Sequence, residues 1–118
     1  MALEVSIIKN IDDVLVSFNG QIDVNSYDFF IKKLHEVLLS ERQHVLIDFS
    51  KVRYISSLAL SAIIEARNYT VNNGGKFILV GLNESIRQVF ELIGALEYME
   101  LYETLAEPRV LLNSNIVS

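Results

Sequence analysis

Two adjacent serines, Ser56 and Ser57, are the residues of this chain best placed to carry chemistry. They follow an apolar run containing one acid, Val45–Phe49, and a short polar break, and they open a long helical pattern. Hydroxyls at a helix start meet free backbone N–H groups and the positive end of the helix dipole, so a phosphate on one of them would be stabilised. That chemistry is a serine switch. Nucleophilic catalysis fits poorly, because no Gly-x-Ser-x-Gly turn surrounds the pair and neither histidine is near it in sequence. The bland alternative is a simple N-cap pair, in which a capping serine contributes about 1 kcal/mol.

Other polar residues are weaker candidates. Asp23 ends a Gly-x-x-Asp turn, Gly20–Asp23, which suits turn geometry or helix capping and also a polar role beside the serines. Asp48 lies inside an apolar strand pattern, where a buried carboxylate needs donors from a neighbouring loop or a place at the rim. His35 and His44 are the only histidines, too few for a metal site. Gly74-Gly75 is followed by no Gly-Lys-Ser/Thr sequence and is no phosphate loop. Nothing in these patterns calls for a cofactor. Phe29 and Phe30 are adjacent, so on a helix only one can face the core.

The elements that must position the serines read as follows. Leu3–Ile8 and Val14–Phe18 are short strands joined through Lys9–Asp13, a hairpin. Asn25 is expected to cap a helix whose apolar stripe is Tyr27, Phe30, Ile31, Leu34, Val37 and Leu38. Val45–Phe49 is nearly continuous in apolar residues, the mark of a central strand covered on both faces. A helix of about four turns spans Ser57–Val71 and ends at Asn72-Asn73-Gly74-Gly75, residues that tolerate positive φ. Phe77–Val80 is a second central strand. Asn83 caps the next helix, with Ile86, Val89, Phe90 and Ile93 as its buried face and Gly94 as its stop. Tyr98–Tyr102 is a final strand. Thr104 and Glu107 have the spacing of a capping box for a last helix, with Pro108 in its first turn.

The order β-β-α-β-α-β-α-β-α implies an α/β fold: a mixed sheet, parallel in its centre, with an N-terminal hairpin and about four helices. Sites in such sheets gather at the carboxyl ends of the strands. Ser56 and Ser57 belong at that edge. Asp23 joins them if the strand before it runs parallel to Val45–Phe49.

Bulk properties narrow the function further. The chain has 118 residues, read as one domain over 1–112 with a flexible tail at 113–118. It carries 15 acids against 10 Lys and Arg, for a net charge of −5, which argues against nucleic acid and anionic lipid as partners. An apolar content of 51% is high, yet no stretch approaches the roughly 18–20 residues of a spanning helix. The N-terminus lacks a signal-like core, and there is no cysteine, both consistent with a cytoplasmic protein.

Three segments together resemble the STAS domain, a family named for sulfate transporters and anti-sigma-factor antagonists. They are Gly20–Asp23, Ile47–Leu60 and Gly74–Gly94. The chain is most similar to the stand-alone bacterial antagonists. The resemblance implies partner switching. Such proteins bind a serine/threonine kinase of the histidine-kinase-like ATPase fold, which is also the anti-sigma factor, and binding frees the sigma factor. The kinase phosphorylates a serine or threonine at the start of the second helix and ends the complex; a phosphatase restores it.

The matched positions depart from the usual Asp-Ser-Ser/Thr-Gly-Leu motif. Ser56 replaces the acid, Leu58 the usual acceptor and Ala59 the glycine. A family variant, Ser-Ser-Ala-Gly-Leu, makes Ser57 the acceptor, with Ser56 in reserve. Ala59 adds a Cβ where a partner backbone could approach. The implied partner contacts are Asp23, Tyr54, Ser56, Ser57, Leu58 and Ser61, and the implied protein is no enzyme. The rival reading keeps the fold without phosphorylation: an adaptor, such as a regulatory subunit of a transporter ATPase.

Overall fold

The computed structural model describes residues 2–108. Strands β1 (Glu4–Lys9), β2 (Asp13–Ile22), β3 (His44–Ile55), β4 (Phe77–Val80) and β5 (Glu100–Tyr102) form a single five-stranded sheet in sequence order. β1 pairs antiparallel with β2; every later pair is parallel. This is the mixed sheet with an N-terminal hairpin and a parallel centre that the sequence implies. The helices are α1 (Tyr27–Leu38), α2 (Ser57–Asn72) and α3 (Glu84–Leu92), followed by a 3₁₀ turn at Ala95–Glu97. Residues 106–108 are again helical. The body of the helix expected after Thr104, and the tail expected at 113–118, fall outside the described residues.

One face of the sheet holds the main core. Val14, Val16, Phe18 and Ile22 of β2 and Val45, Ile47, Phe49, Val52 and Ile55 of β3 point to it, and Phe30, Leu34, Ile63 and Phe90 descend from the helices. The Phe18 ring sits 5.0 Å from Phe30 and 6.2 Å from Phe49, aromatic contacts that tie α1 to both central strands. All three α-helices pack on this face.

The opposite face departs from expectation. Leu46, Ile78 and Val80 form a smaller buried cluster there, with Leu15, Tyr102 and Leu105 beside it. Further along the same strands the residues turn polar: Ser6, Ser17, Asp48 and Ser50 line an open depression. β3 is therefore covered on both faces only at its start. Asp48 is half-buried on the open side and its carboxylate accepts the Ser50 N–H at 2.9 Å.

β2 and β3 are also longer than their apolar runs. Between Ser17 and Asn19 β2 advances two residues while β3 advances three, and a second slip falls between Gly20 and Gln21. These bulges change the core-facing spacing on β3 from two to three, at Phe49, Val52 and Ile55. A period-two reading stops at Phe49 for that reason.

Two helix assignments are corrected. Ser26, not Asn25, occupies the N-cap of α1, and its side chain makes no capping bond. Ile93 is 52% exposed and sits at the C-cap of α3 instead of on its buried face. Gly94 then adopts φ 74°, the left-handed geometry that ends a helix. Asn83 does cap α3, its Oδ1 accepting the Ile86 N–H at 2.9 Å.

At the amino end of the parallel strands, Asp13 is buried and its Oδ1 has no hydrogen-bond partner. Burial pushes its carboxyl above the usual range; His44, opposite it in register, pulls the other way, and Asp12 adds to the rise. A carboxyl that binds its proton more tightly when folded is tolerated best below the unfolded pKa of about 3.9, and it burdens the fold as pH rises through the folded value. Asp13→Asn is therefore expected to melt higher than wild type at pH 7, with the gap closing as pH falls toward 4. A gap independent of pH in thermal denaturation would contradict this account.

Candidate functional site

The carboxyl ends of β2 and β3 define the site. Ile22 pairs with Ile55, and the Ser56 N–H donates to the Ile22 carbonyl at 2.8 Å, the last bond along these two strands. The next residues, Asp23 and Ser56, leave adjacent strand ends about 4.8 Å apart. β2 does run parallel to β3, which meets the condition for placing Asp23 beside the serines.

Ser56 is the N-cap of α2. Its backbone is extended (φ −77°, ψ 161°) and its Oγ accepts the Ala59 N–H at 3.2 Å. Its carbonyl accepts the Leu60 N–H at 3.0 Å, closing the first turn. Ser57 is the first helical residue and is exposed. Among the described residues its hydroxyl has no hydrogen-bond partner, and the first turn of α2 holds no acid. One serine builds the helix start; the other stands free upon it.

Asp23 is committed to its own loop. Its Oδ1 accepts the N–H groups of Asn25 at 3.0 Å and Ser26 at 3.1 Å and the Ser26 hydroxyl at 3.2 Å. Ser26 Oγ in turn accepts the Asp23 N–H at 3.0 Å and lies 2.7 Å from the Gln21 carbonyl. This closed loop holds the β2–α1 corner against the serines. Tyr54, opposite Gln21 on β3, is 51% exposed, and Leu58 is 64% exposed on the first turn of α2. Ser61 follows one turn on, also exposed. All six sequence-predicted residues thus lie on the carboxyl rim or the start of α2.

Ala59 is turned the other way. It is fully buried in the main core, so its methyl faces the sheet and not a partner. The missing glycine therefore opens no gap and adds no bulk on the outer surface.

Sequence reading missed two rim residues, Arg53 and Val24, and left open which of Phe29 and Phe30 would be exposed. Arg53 and Phe29 line a concavity of about 710 Å³ with Asp23. Val24, next to Asp23, is 84% exposed. Arg53 was hidden because residues 50–55 read as a break between strand and helix; as the end of β3 they belong to the rim. Phe29 was visible as the aromatic that could not share the core with Phe30: Phe30 is fully buried, and Phe29 is 39% exposed. Among the described residues no group of three or more histidine or acidic side chains could hold a metal ion, and no helix is long and apolar enough to cross a membrane.

These features define an α/β domain whose distinctive surface is the strand rim and helix start around two serines. The chain belongs to the STAS domain family, whose model matches residues 2–107. Among solved structures it is similar to a candidate anti-sigma factor antagonist from Thermotoga maritima, with 23% identity over 89% of this chain and 91% of that one and a TM-score of 0.81. An anti-sigma factor antagonist from Mycobacterium paratuberculosis shares 20% identity over 92% of each chain, with a TM-score of 0.80. The Bacillus cell fate determinant SpoIIAA in its phosphorylated form shares 13% identity over 91% of this chain and 96% of that one, with a TM-score of 0.71. At these identities the likeness establishes the shared fold.

The two serines are separable by stability. Ser56→Ala removes the cap and is expected to cost about 1 kcal/mol in denaturant unfolding, whereas Ser57→Ala should stay within about 0.5 kcal/mol of wild type. Equal losses from both substitutions would contradict the division of labour.

Proposed function

We propose that this protein is an anti-sigma-factor antagonist that works by partner switching and catalyses nothing itself. It presents the rim of Asp23 and Tyr54 and the start of α2, from Ser56 to Ser61, to a cytoplasmic serine/threonine kinase of the histidine-kinase-like ATPase fold. Transfer of a phosphate to Ser57 ends the complex, and a phosphatase restores it. Ser56 is the poorer acceptor because its oxygen is engaged in the cap.

The observation that carries this reading is the free, exposed Ser57 hydroxyl at the first position of α2. A phosphate there meets the N–H groups of the helix start and its dipole, so the fold tolerates the charge. The partner does not. Exposed Tyr54 and Leu58 flank the position, and roughly −1.5 to −2 charges placed between them demand new cations or break the packed contact. The phosphorylated form of SpoIIAA supports the idea that this fold carries such a group.

A non-phosphorylated adaptor, for instance a regulatory subunit of a transporter ATPase, is the second reading. It is favoured by Leu58 at the usual acceptor position, where an exposed apolar side chain serves constitutive docking.

The test is titration of purified histidine-kinase-like ATPases from the same genome, one by one, followed by incubation with ATP and mass spectrometry. One ATPase should bind the wild type and Ser57→Ala, bind Ser57→Asp at least tenfold more weakly, and add a single phosphate to Ser57. Binding without phosphate incorporation would favour the adaptor; absence of binding by every ATPase would refute the proposal.

A further inference from the structure

A groove of about 730 Å³ runs between α1 and α2, and the rim described above touches only one end of it. Leu34 and Ala66, both buried, form its floor. Leu58 and Ser61 stand at the end nearest Ser57, and Tyr69, 50% exposed, stands at the other. From Leu58 to Tyr69 α2 rises about 16 Å, three helical turns. Apolar side chains aligned along one concave strip mark an interaction surface more strongly than scattered ones. Midway lies Glu65, exposed and, among the described residues, in no ion pair.

The shape and charge select an occupant. The groove is a part-open concavity lined from both helices, which suits a segment laid into it better than a fully enclosed small molecule. Its one acid, Glu65, faces outward unpaired on a chain of net charge −5, with His35, apart from the tyrosines, as the groove's other titratable side chain, so a basic segment is the better complement on the α2 side. A second copy brings the same net negative charge; its α2 carries a single cation, Arg67, and its α1 offers Lys32 and Lys33, of which Lys33 already pairs with Glu36. Leu58 and Ser61 belong both to the groove and to the contact surface at Ser57, so one partner can cover the two continuously.

We infer that the α1–α2 groove receives an amphipathic helix of the partner. Its apolar side chains, spaced i, i+3/i+4 and i+7, pack along Leu58, Ala62 and Tyr69, and a Lys or Arg meets Glu65. This inference rests on the proposed function, since it extends the same interface. It adds a second zone, about 12–18 Å along α2 from Ser57, that phosphate does not reach directly.

That distance supplies the test. The ATPase that binds wild type is titrated against Glu65→Lys and Tyr69→Asp, two exposed positions, with thermal melting to confirm the fold of each variant. Each is expected to bind about tenfold more weakly, in addition to the loss caused by Ser57→Asp. If both bind within twofold of wild type while Ser57→Asp is weakened, the groove inference is overturned and the switch stands. If no ATPase binds wild type, both fall. If wild type sediments as a dimer that Glu65→Lys dissociates, a second copy is the occupant and the inference is likewise overturned.

Discussion

The parallel pairing of β2 with β3 is the constraint on which the site depends. Its last bond, from the Ser56 N–H to the Ile22 carbonyl, brings two strand ends out side by side. Everything functional follows from that closure. The chain leaving β2 becomes the Asp23–Ser26 loop and then α1; the chain leaving β3 becomes the cap and then α2. Had the pairing ended at Phe49, where the apolar run ends, residues 50–55 would form a flexible connection and the start of α2 would have no fixed relation to Asp23. The bulges that lengthen β3 keep Val52 and Ile55 pointing into the core, so the extension is anchored by burial as well as by hydrogen bonds.

On that frame, two neighbouring residues of one type acquire opposite roles through one step of backbone geometry. Ser56 has extended backbone, and its Oγ folds forward to the Ala59 N–H. Ser57 has entered the helix, and among the described residues its exposed hydroxyl makes no hydrogen bond. The same helix start that requires a cap supplies the positive field that tolerates an anion beside it. Asp23, whose Oδ1 accepts the N–H groups of Asn25 and Ser26, fixes the corner and places an acid at the rim. A phosphate on Ser57 would add like charge to that rim.

Much of this was legible in the sequence because the signals were local. The helix start at Ser57, the central strands from Val45 and Phe77, the Asn83 cap and the Gly94 stop each depend on a few adjacent residues. The family resemblance brought the switch reading of Ser57 level with the bland capping reading. What escaped depends on register or on tertiary partners. Arg53 joined the rim only because bulges carry β3 beyond its alternating pattern. Ala59 looked like an obstacle to a partner until the helix rotation turned it into the core. Asp48 was left between a loop-bonded buried site and the rim, because its strand neighbours are apolar and the polar turn of the opposite sheet face depends on tertiary packing. The groove was not read from the sequence, because its two walls come from different helices, α1 and α2.

The closed core also constrains how the proposed switch would work. The core beneath the site is closed by Phe18, Phe30, Phe49 and Ile63, each nearly inaccessible to solvent, so the start of α2 is not free to rearrange. A switch built on such a surface needs no second conformation of this chain. On the proposed function its two states would differ by a local charge, which a partner would read on desolvating that surface to bind. An exposed hydroxyl makes no energetic demand on the fold, so a phosphate there would leave the protein's stability almost unchanged while acting on the proposed complex. The separation of Ser56, which the fold uses, from Ser57, which it does not, is what permits that economy.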